Sequence, residues 1–187
     1  MGTSGPAVAD TPAGSPVFSR SVRWLIDVAE GGDKLITDQG GLTKFGISQD
    51  AYPNEDIANL TRERAEFLYR RDYWTPIRAD TLPPQLALVV FDCTVNSGAS
   101  RAVKILQKCV RTKQDGAMGP ITVRASTLFQ PQLELVAHYL EQRLQFYEYL
   151  AKRWPARHGE SLHGWRMRLM RLALEAGRWT DPDRSAS

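Results

Sequence analysis

The chain has 187 residues, 42% of them hydrophobic and 24% charged, with a formal net charge of +3 and a pI of about 9.0. This balance suits a packed globular protein and excludes a disordered one, and no apolar run reaches the length that spans a bilayer. The mild basicity suits an anionic polymer (a bacterial cell wall, nucleic acid or a membrane surface), but arginines scattered over several helices argue against a dedicated nucleic-acid face.

Residues 1–17 begin MGTSGPAVADTPAGSP, with neither a basic leader nor an apolar stretch behind it. They read as a flexible tail without a signal peptide. Ser19 or Ser21 is placed to cap a helix whose Val22, Leu25, Ile26 and Ala29 follow one helical face, and Gly31 and Gly32 end it. The segment from there to Ile47 is glycine-rich with short apolar beats, which predicts a small β-hairpin lobe. Thr61 caps a helix running to about Tyr73.

Pro83-Pro84 opens a third helix, since proline in the first turn forfeits no hydrogen bond; Leu86, Val89, Val90 and Cys93 line it and Gly98 stops it. Ala102, Ile105, Leu106 and Cys109 mark a fourth. The run RTKQDGAMGP supplies a turn at Asp115-Gly116 and a fresh start at Gly119-Pro120. Pro131 begins a long helix through Leu133, Val136, Ala137, Leu140, Leu144 and Tyr147. A last helix holds Leu162, Trp165, Leu169, Leu172, Ala173 and Ala176, with Gly177 as its C-cap. Cys93 and Cys109 sit in apolar helical patterns and read as buried free thiols. His138, His158 and His163 show no metal-ligand spacing with them, which argues against a structural zinc site. The chain is thus mainly α. It has no β-α alternation and no phosphate-loop or dinucleotide fingerprint.

Glu30 falls at the C-terminal turn of the first helix, where the helix dipole disfavours negative charge and so favours a carboxyl that keeps its proton. Asp38 follows eight residues on, and Thr43 five beyond that. A hairpin over residues 33–45 would bring either of them to face Glu30. Such a pairing suits glycoside cleavage: one carboxylic acid protonates the leaving oxygen, and a second polar group holds a water or steadies the oxocarbenium-like sugar.

The stretch AEGGDKLITDQGGLTKFGIS resembles the signature of glycoside hydrolase family 108, a Glu-Gly-Gly motif followed by Asp-x-Gly-Gly-x-Thr-x-x-Gly-Ile. Here these are Glu30-Gly31-Gly32 and Asp38 through Ile47. The likeness continues through the Tyr73-Trp74 pair of YRRDYWTPIRADTLPP and through VVFDCTVNSGASRAVKILQ, which is similar to the family's Phe-Asp-x-x-Val-Asn-Ser-Gly helix end. Three motifs in order span roughly residues 20–110. Asp115 to Thr122 resembles the Asp-Gly-x-x-Gly-Pro-x-Thr turn of the peptidoglycan-binding-type domain that usually follows.

The resemblance implies a mainly α, lysozyme-like helical fold with a small glycine-rich β-hairpin lobe and a C-terminal helical subdomain. It divides the chain into a catalytic region at 18–112, a peptidoglycan-binding-type region at 113–180 packed on it, and a flexible tail at 181–187. It implies a muramidase or phage endolysin that hydrolyses the N-acetylmuramic acid–N-acetylglucosamine β-1,4 bond, with Glu30 as the general acid. The order Glu30, Asp38, Thr43 also resembles the Glu–Asp–Thr triad of phage-type lysozymes, with each spacing shorter by one. Asp38 or Thr43 would position the water, or Asp38 would pin the hairpin as aspartates do in turns.

For substrate binding, Asn96 in VNSG is the candidate from the helical lobe, with Tyr73 in the cleft, Trp74 in the core and Asp92 one turn before Asn96 as its supporting partner. The implied partner is bacterial peptidoglycan, met by a monomer with no nucleic acid and no stable membrane insertion. If phage-encoded, the enzyme would gather in the host cytoplasm and need a holin-type partner to reach the wall. The competing readings are a lytic transglycosylase using Glu30 as acid and then base, and a non-catalytic wall-binding or secretion-assisting module.

Overall fold

The computed structural model describes residues 15–38 and 40–179, with the Asp38 side chain excepted. Of the expected tail at 1–17, residues 1–14 lie outside the described residues, as do Gln39, residue 180 and the whole expected tail at 181–187, whereas Pro16 and Val17 are helical and not tail. Helix α3 (Pro84–Ser97) is the axis of the molecule, because every side chain from Leu86 to Thr94 is buried. A helix that is apolar nearly all round must be enclosed on all sides. Here α1 (Pro16–Trp24), α4 (Ala99–Cys109), α6 (Gln132–Arg153) and α8 (Ser161–Gly177) all pack against it.

The helix starts follow from local chemistry. The Ser15 hydroxyl accepts from the Phe18 N–H at 3.3 Å and Pro16 fills the first turn, so α1 begins earlier than either Ser19 or Ser21 would allow. Ser21 is instead buried on the inner face with Phe18, Val22 and Trp24. Thr61 caps α2 (Arg62–Tyr69) by accepting from the Arg64 N–H at 3.2 Å.

Two helices then widen at their C-terminal ends. α1 continues as a π-helical turn over Leu25–Ala29, and α2 as another over Arg70–Trp74. Each closes an i→i+5 hydrogen bond of 2.9 Å, from Glu30 N–H to the Leu25 carbonyl and from Thr75 N–H to the Arg70 carbonyl. A π turn inserts one residue and rotates everything after it, a device common at functional sites. The second turn places Trp74 in the core, fully buried, as expected of it.

The glycine-rich lobe is a three-stranded antiparallel sheet in the order β1 (Ile36–Asp38), β2 (Gly41–Lys44), β3 (Ile47–Ser48), one strand more than a single hairpin. Ile36 pairs with Thr43, and Thr43 with Ser48 across the other edge. The β2–β3 turn is Phe45-Gly46, with φ of 53° and 76°; a primed two-residue turn requires positive φ at both positions.

Behind α4, the Asp115–Thr122 motif closes on itself around the buried Gln107. The Gln107 amide donates to Asp115 Oδ1 (2.8 Å) and to the Ala117 carbonyl (3.0 Å), and its carbonyl oxygen accepts from the Gly116 N–H (2.9 Å). α5 (Pro120–Leu128) starts from this turn. On α6 the buried face is Leu135, Val136, Tyr139, Leu140, Arg143, Tyr147 and Ala151, which leaves Leu133 and Ala137 exposed, contrary to their expected place on the apolar face. After the short α7 (Pro155–His158), α8 runs through Gly177, which is its last helical residue, and Arg178 caps it. Glu175 and Trp179 clasp Arg20 of α1: Arg20 Nη2 lies 2.9 Å from Glu175, and its guanidinium sits 4.4 Å above the Trp179 ring. Cys93 is a buried free thiol and Cys109 a half-buried one. A single hydrophobic core takes in Phe91 and Leu106 together with Leu135, Tyr139 and Leu172.

Candidate active site

Glu30 is the first residue beyond the π turn, and Gly31 and Gly32, with φ of 81° and 82°, carry the backbone away from it at once. The Gly32 N–H donates to the Ile26 carbonyl at 2.8 Å, which ties off the helix end. Such left-handed positions favour glycine, which has no Cβ to clash there. The Glu30 side chain emerges at 21% exposure, reachable but fixed.

It is fixed from two sides. The sheet presents Gly46, where an added Cβ would fall 2.6 Å from Glu30 Cγ and 2.5 Å from the Tyr69 hydroxyl. Only a residue without a side chain lets the β2–β3 turn press on the glutamate stem this closely. Tyr69 holds that turn in place by donating to the Phe45 carbonyl at 2.9 Å. Burial pushes the Tyr69 hydroxyl well above the usual tyrosine range, and the neighbouring Glu30 charge adds to it. From the other side comes α8: Arg168 Nη2 lies 2.8 Å from Glu30 Oε1.

Arg168 is in turn held by Asp92, with Nε and Nη2 at 2.9 and 2.7 Å from Asp92 Oδ1. Asp92 Oδ2 accepts from Arg143 Nη1 at 2.5 Å, and both of these side chains are fully buried. Burial pushes the Asp92 carboxyl up, but the guanidiniums of Arg143 and Arg168 outweigh it and hold it below the usual carboxylate range. Burial likewise works against the charge of each arginine, and Asp92 more than restores it. Arg143 Nε donates to the Tyr147 hydroxyl (2.7 Å), which donates to Asn96 Oδ1 (2.6 Å), and the Tyr147 ring stacks on Trp165 at 4.5 Å. A continuous polar relay therefore runs from Glu30 through the centre of the molecule to Asn96.

Asn96 and Arg168 line a groove of about 540 Å³ together with Trp24, Ala29 and Trp165, among others, and Glu30, which follows Ala29 in the chain and pairs with Arg168, stands at its edge and not in its lining. Asn96 is exposed there. Asp92 has no surface, so it cannot touch a ligand and acts only as a support for Arg168 and Arg143. Tyr73 packs beside Tyr69, ring centroids 5.7 Å apart, and lines a second groove with Tyr52 and Asp72. Thr43 is nearly buried in β2 and its hydroxyl donates to the Gly41 carbonyl at 3.3 Å. The backbone of Asp38 ends β1 opposite Gly41, and its side chain lies outside the described residues.

Sequence reasoning missed Arg168, Arg143, Tyr69 and Gly46 as parts of this site. Arg143 left a usable signal, because it stands on the same helical stripe as Val136, Leu140 and Tyr147. An arginine among buried positions needs a buried partner. Arg168 left none, since it is one of several arginines on an amphipathic helix. Among the described residues no group of His, Cys, Asp and Glu side chains could hold a metal ion.

Residues 24–98 match the model of the family described as Glycosyl hydrolase 108, and residues 101–170 that of the Predicted Peptidoglycan domain. Among solved structures, Brucella abortus SagA is similar, with 26% identity and a TM-score of 0.72, over 89% of this chain and 97% of that one. No curated protein matches the sequence.

Proposed function

Because this chain belongs to the glycosyl hydrolase 108 family and joins to it a peptidoglycan domain, making it a glycoside hydrolase of peptidoglycan, we propose that it is a muramidase with Glu30 as its general acid. One observation supports this reading above the others. A single carboxyl group, partly exposed beside a groove, is clamped by a glycine turn on its stem and a guanidinium on one oxygen. A solvated surface glutamate needs neither clamp. A group that transfers a proton in one direction needs both.

In the proposed reaction, the free oxygen of Glu30 gives its proton to the glycosidic oxygen between N-acetylmuramic acid and N-acetylglucosamine. The bond from the anomeric carbon to that oxygen opens, with its electrons passing to the oxygen. A water adds to the anomeric carbon, and its proton is taken up by Asp38 or, where Thr43 holds the water, by solvent. Asn96 offers a hydrogen bond to the bound sugar, and the half-buried Trp165 supplies a flat apolar surface at the groove for a sugar ring. No metal or cofactor enters the step. The enzyme works in the wall compartment; no helix among the described residues is long and apolar enough to cross a membrane.

Digestion of purified peptidoglycan, with product masses, tests this reading. Wild type should release fragments with reducing N-acetylmuramic acid ends, and Glu30→Gln should lose at least about 10²–10⁴-fold in rate while keeping its fold. Fragments ending in 1,6-anhydro-muramic acid would instead make the enzyme a lytic transglycosylase. An undiminished Glu30→Gln variant would remove the enzyme reading altogether.

A further inference from the structure

We infer that Arg168 is the positioning residue of Glu30, so that the C-terminal region is a working part of the catalytic site and not a separable wall-binding attachment. The inference rests on Glu30 being the general acid. Arg168 lies at the end of the stretch that matches the peptidoglycan domain, yet its Nη2 is 2.8 Å from the carboxyl of the other region.

The geometry gives this contact a definite task. Arg168 occupies Oε1 of Glu30, which leaves Oε2 for a substrate. Gly46 prevents the stem from swinging away, since even a methyl group has no room there. When the proton departs, the charge that remains on the carboxylate is shared with Oε1, beside a fixed cation that needs no rearrangement to receive it. Preorganised charge of this kind is the strongest single contribution most active sites have.

Arg168 cannot drift from that position, because two of its nitrogens also engage Asp92 Oδ1. Asp92 is itself pinned by Arg143 from α6, and α8 is clasped to α1 through Glu175 and Arg20. Stability does not account for this assembly. Buried ion pairs are generally no better than apolar residues of the same volume. This one also leaves Arg143 Nη2 and Arg168 Nη2 buried without a hydrogen bond of good geometry among the described residues, so that Arg168 Nη2 meets Glu30 and Asp92 as an ion pair only. A costly network that ends on a clamped, partly exposed carboxyl is explained by what it holds in place.

The test compares Arg168→Ala and Arg168→Lys with wild type and Glu30→Gln on soluble peptidoglycan oligosaccharides, each checked for folding by circular dichroism. Arg168→Ala should lose about 10²-fold in kcat with KM within about two-fold. Guanidinium chloride at non-denaturing concentration should restore about ten-fold of that loss, and should leave wild type and Glu30→Gln unmoved. Arg168→Lys keeps a cation for Asp92 but cannot span both carboxylates in the same geometry; it should fold and lose about ten-fold in kcat alone. If Arg168→Ala fails to fold, the lysine variant decides. Wild-type kcat in a folded arginine variant, or a loss confined to KM, overturns the positioning role while leaving the muramidase reading intact. An inactive wild type, or an active Glu30→Gln, brings down both.

Discussion

Residues 24–98 and residues 101–170 answer to different family models, yet they differ physically in a way those models do not express. The first region supplies the carboxyl, the glycine turn and the groove's Trp24 and Asn96. The second supplies the guanidinium that holds the carboxyl, the Arg143 that holds Asp92, and the stacked Tyr147–Trp165 wall of the groove. The first region does not bury all of its apolar surface by itself. α3 belongs to the first, and its buried sides are covered by α4, α6 and α8 of the second. A boundary between sequence families therefore runs through the middle of one core and one site.

The most forceful way to break this comparison is to cut the chain at the boundary. A chain ending at Lys113 would expose the face of α3 on which α6 and α8 lie. It should fail to fold, giving no cooperative thermal transition and a non-native circular dichroism spectrum. A soluble, cooperative fragment would restore the picture of two independent domains.

A smaller blow falls on the seam itself. Asp92→Ala strands two buried guanidiniums and should cost about 3–5 kcal/mol, read from chemical denaturation. The same residue sets a pH dependence. Asp92 binds its proton less readily in the folded protein than in the unfolded chain, so its contribution is fully present above the ordinary aspartate range, about pH 4, and is lost as pH falls through the lower folded value. Thermal stability of wild type should fall across that acid window, and Asp92→Asn, destabilised at neutral pH, should show a shallower further fall.

The smallest effect in stability comes from the first region alone. Gly46→Ala would drive a methyl group against Glu30 Cγ and the Tyr69 hydroxyl at a positive φ, at a cost of about 1–3 kcal/mol. Its effect on wall digestion should be out of proportion to that, with kcat down about 10²-fold because the carboxyl is displaced. Full activity in a destabilised Gly46→Ala would show that the glycine serves the turn and not the glutamate.

Much of this was legible in the sequence. The helix order, the proline starts, the Thr61 cap and the stop at Gly98 follow from local chemistry that the fold does not override. Glu30 and Asn96 stand out as candidates because their motifs are contiguous. The π turns were not legible: hydrophobic periodicity averages over a helix, and one inserted residue at its end changes no side chain's character. Ser15 is masked as a cap by the tail-like sequence before it, although Ser-Pro at a helix start is a usable cap. Arg168 was out of reach for a different reason. Its partner is 138 positions away in sequence, and nothing about arginine on an amphipathic helix tells which one turns inward.

The contact at the far end of the relay carries one more consequence. Arg143 Nε has only a proton to give, so the Tyr147 oxygen receives it and must spend its own hydrogen on Asn96. What Asn96 turns toward Tyr147 is therefore its oxygen, and what remains for the groove is its nitrogen with two hydrogens. The polarity of that wall is decided from inside the molecule. A ligand group that meets this amide nitrogen must bring a lone pair, as an acetamido carbonyl does.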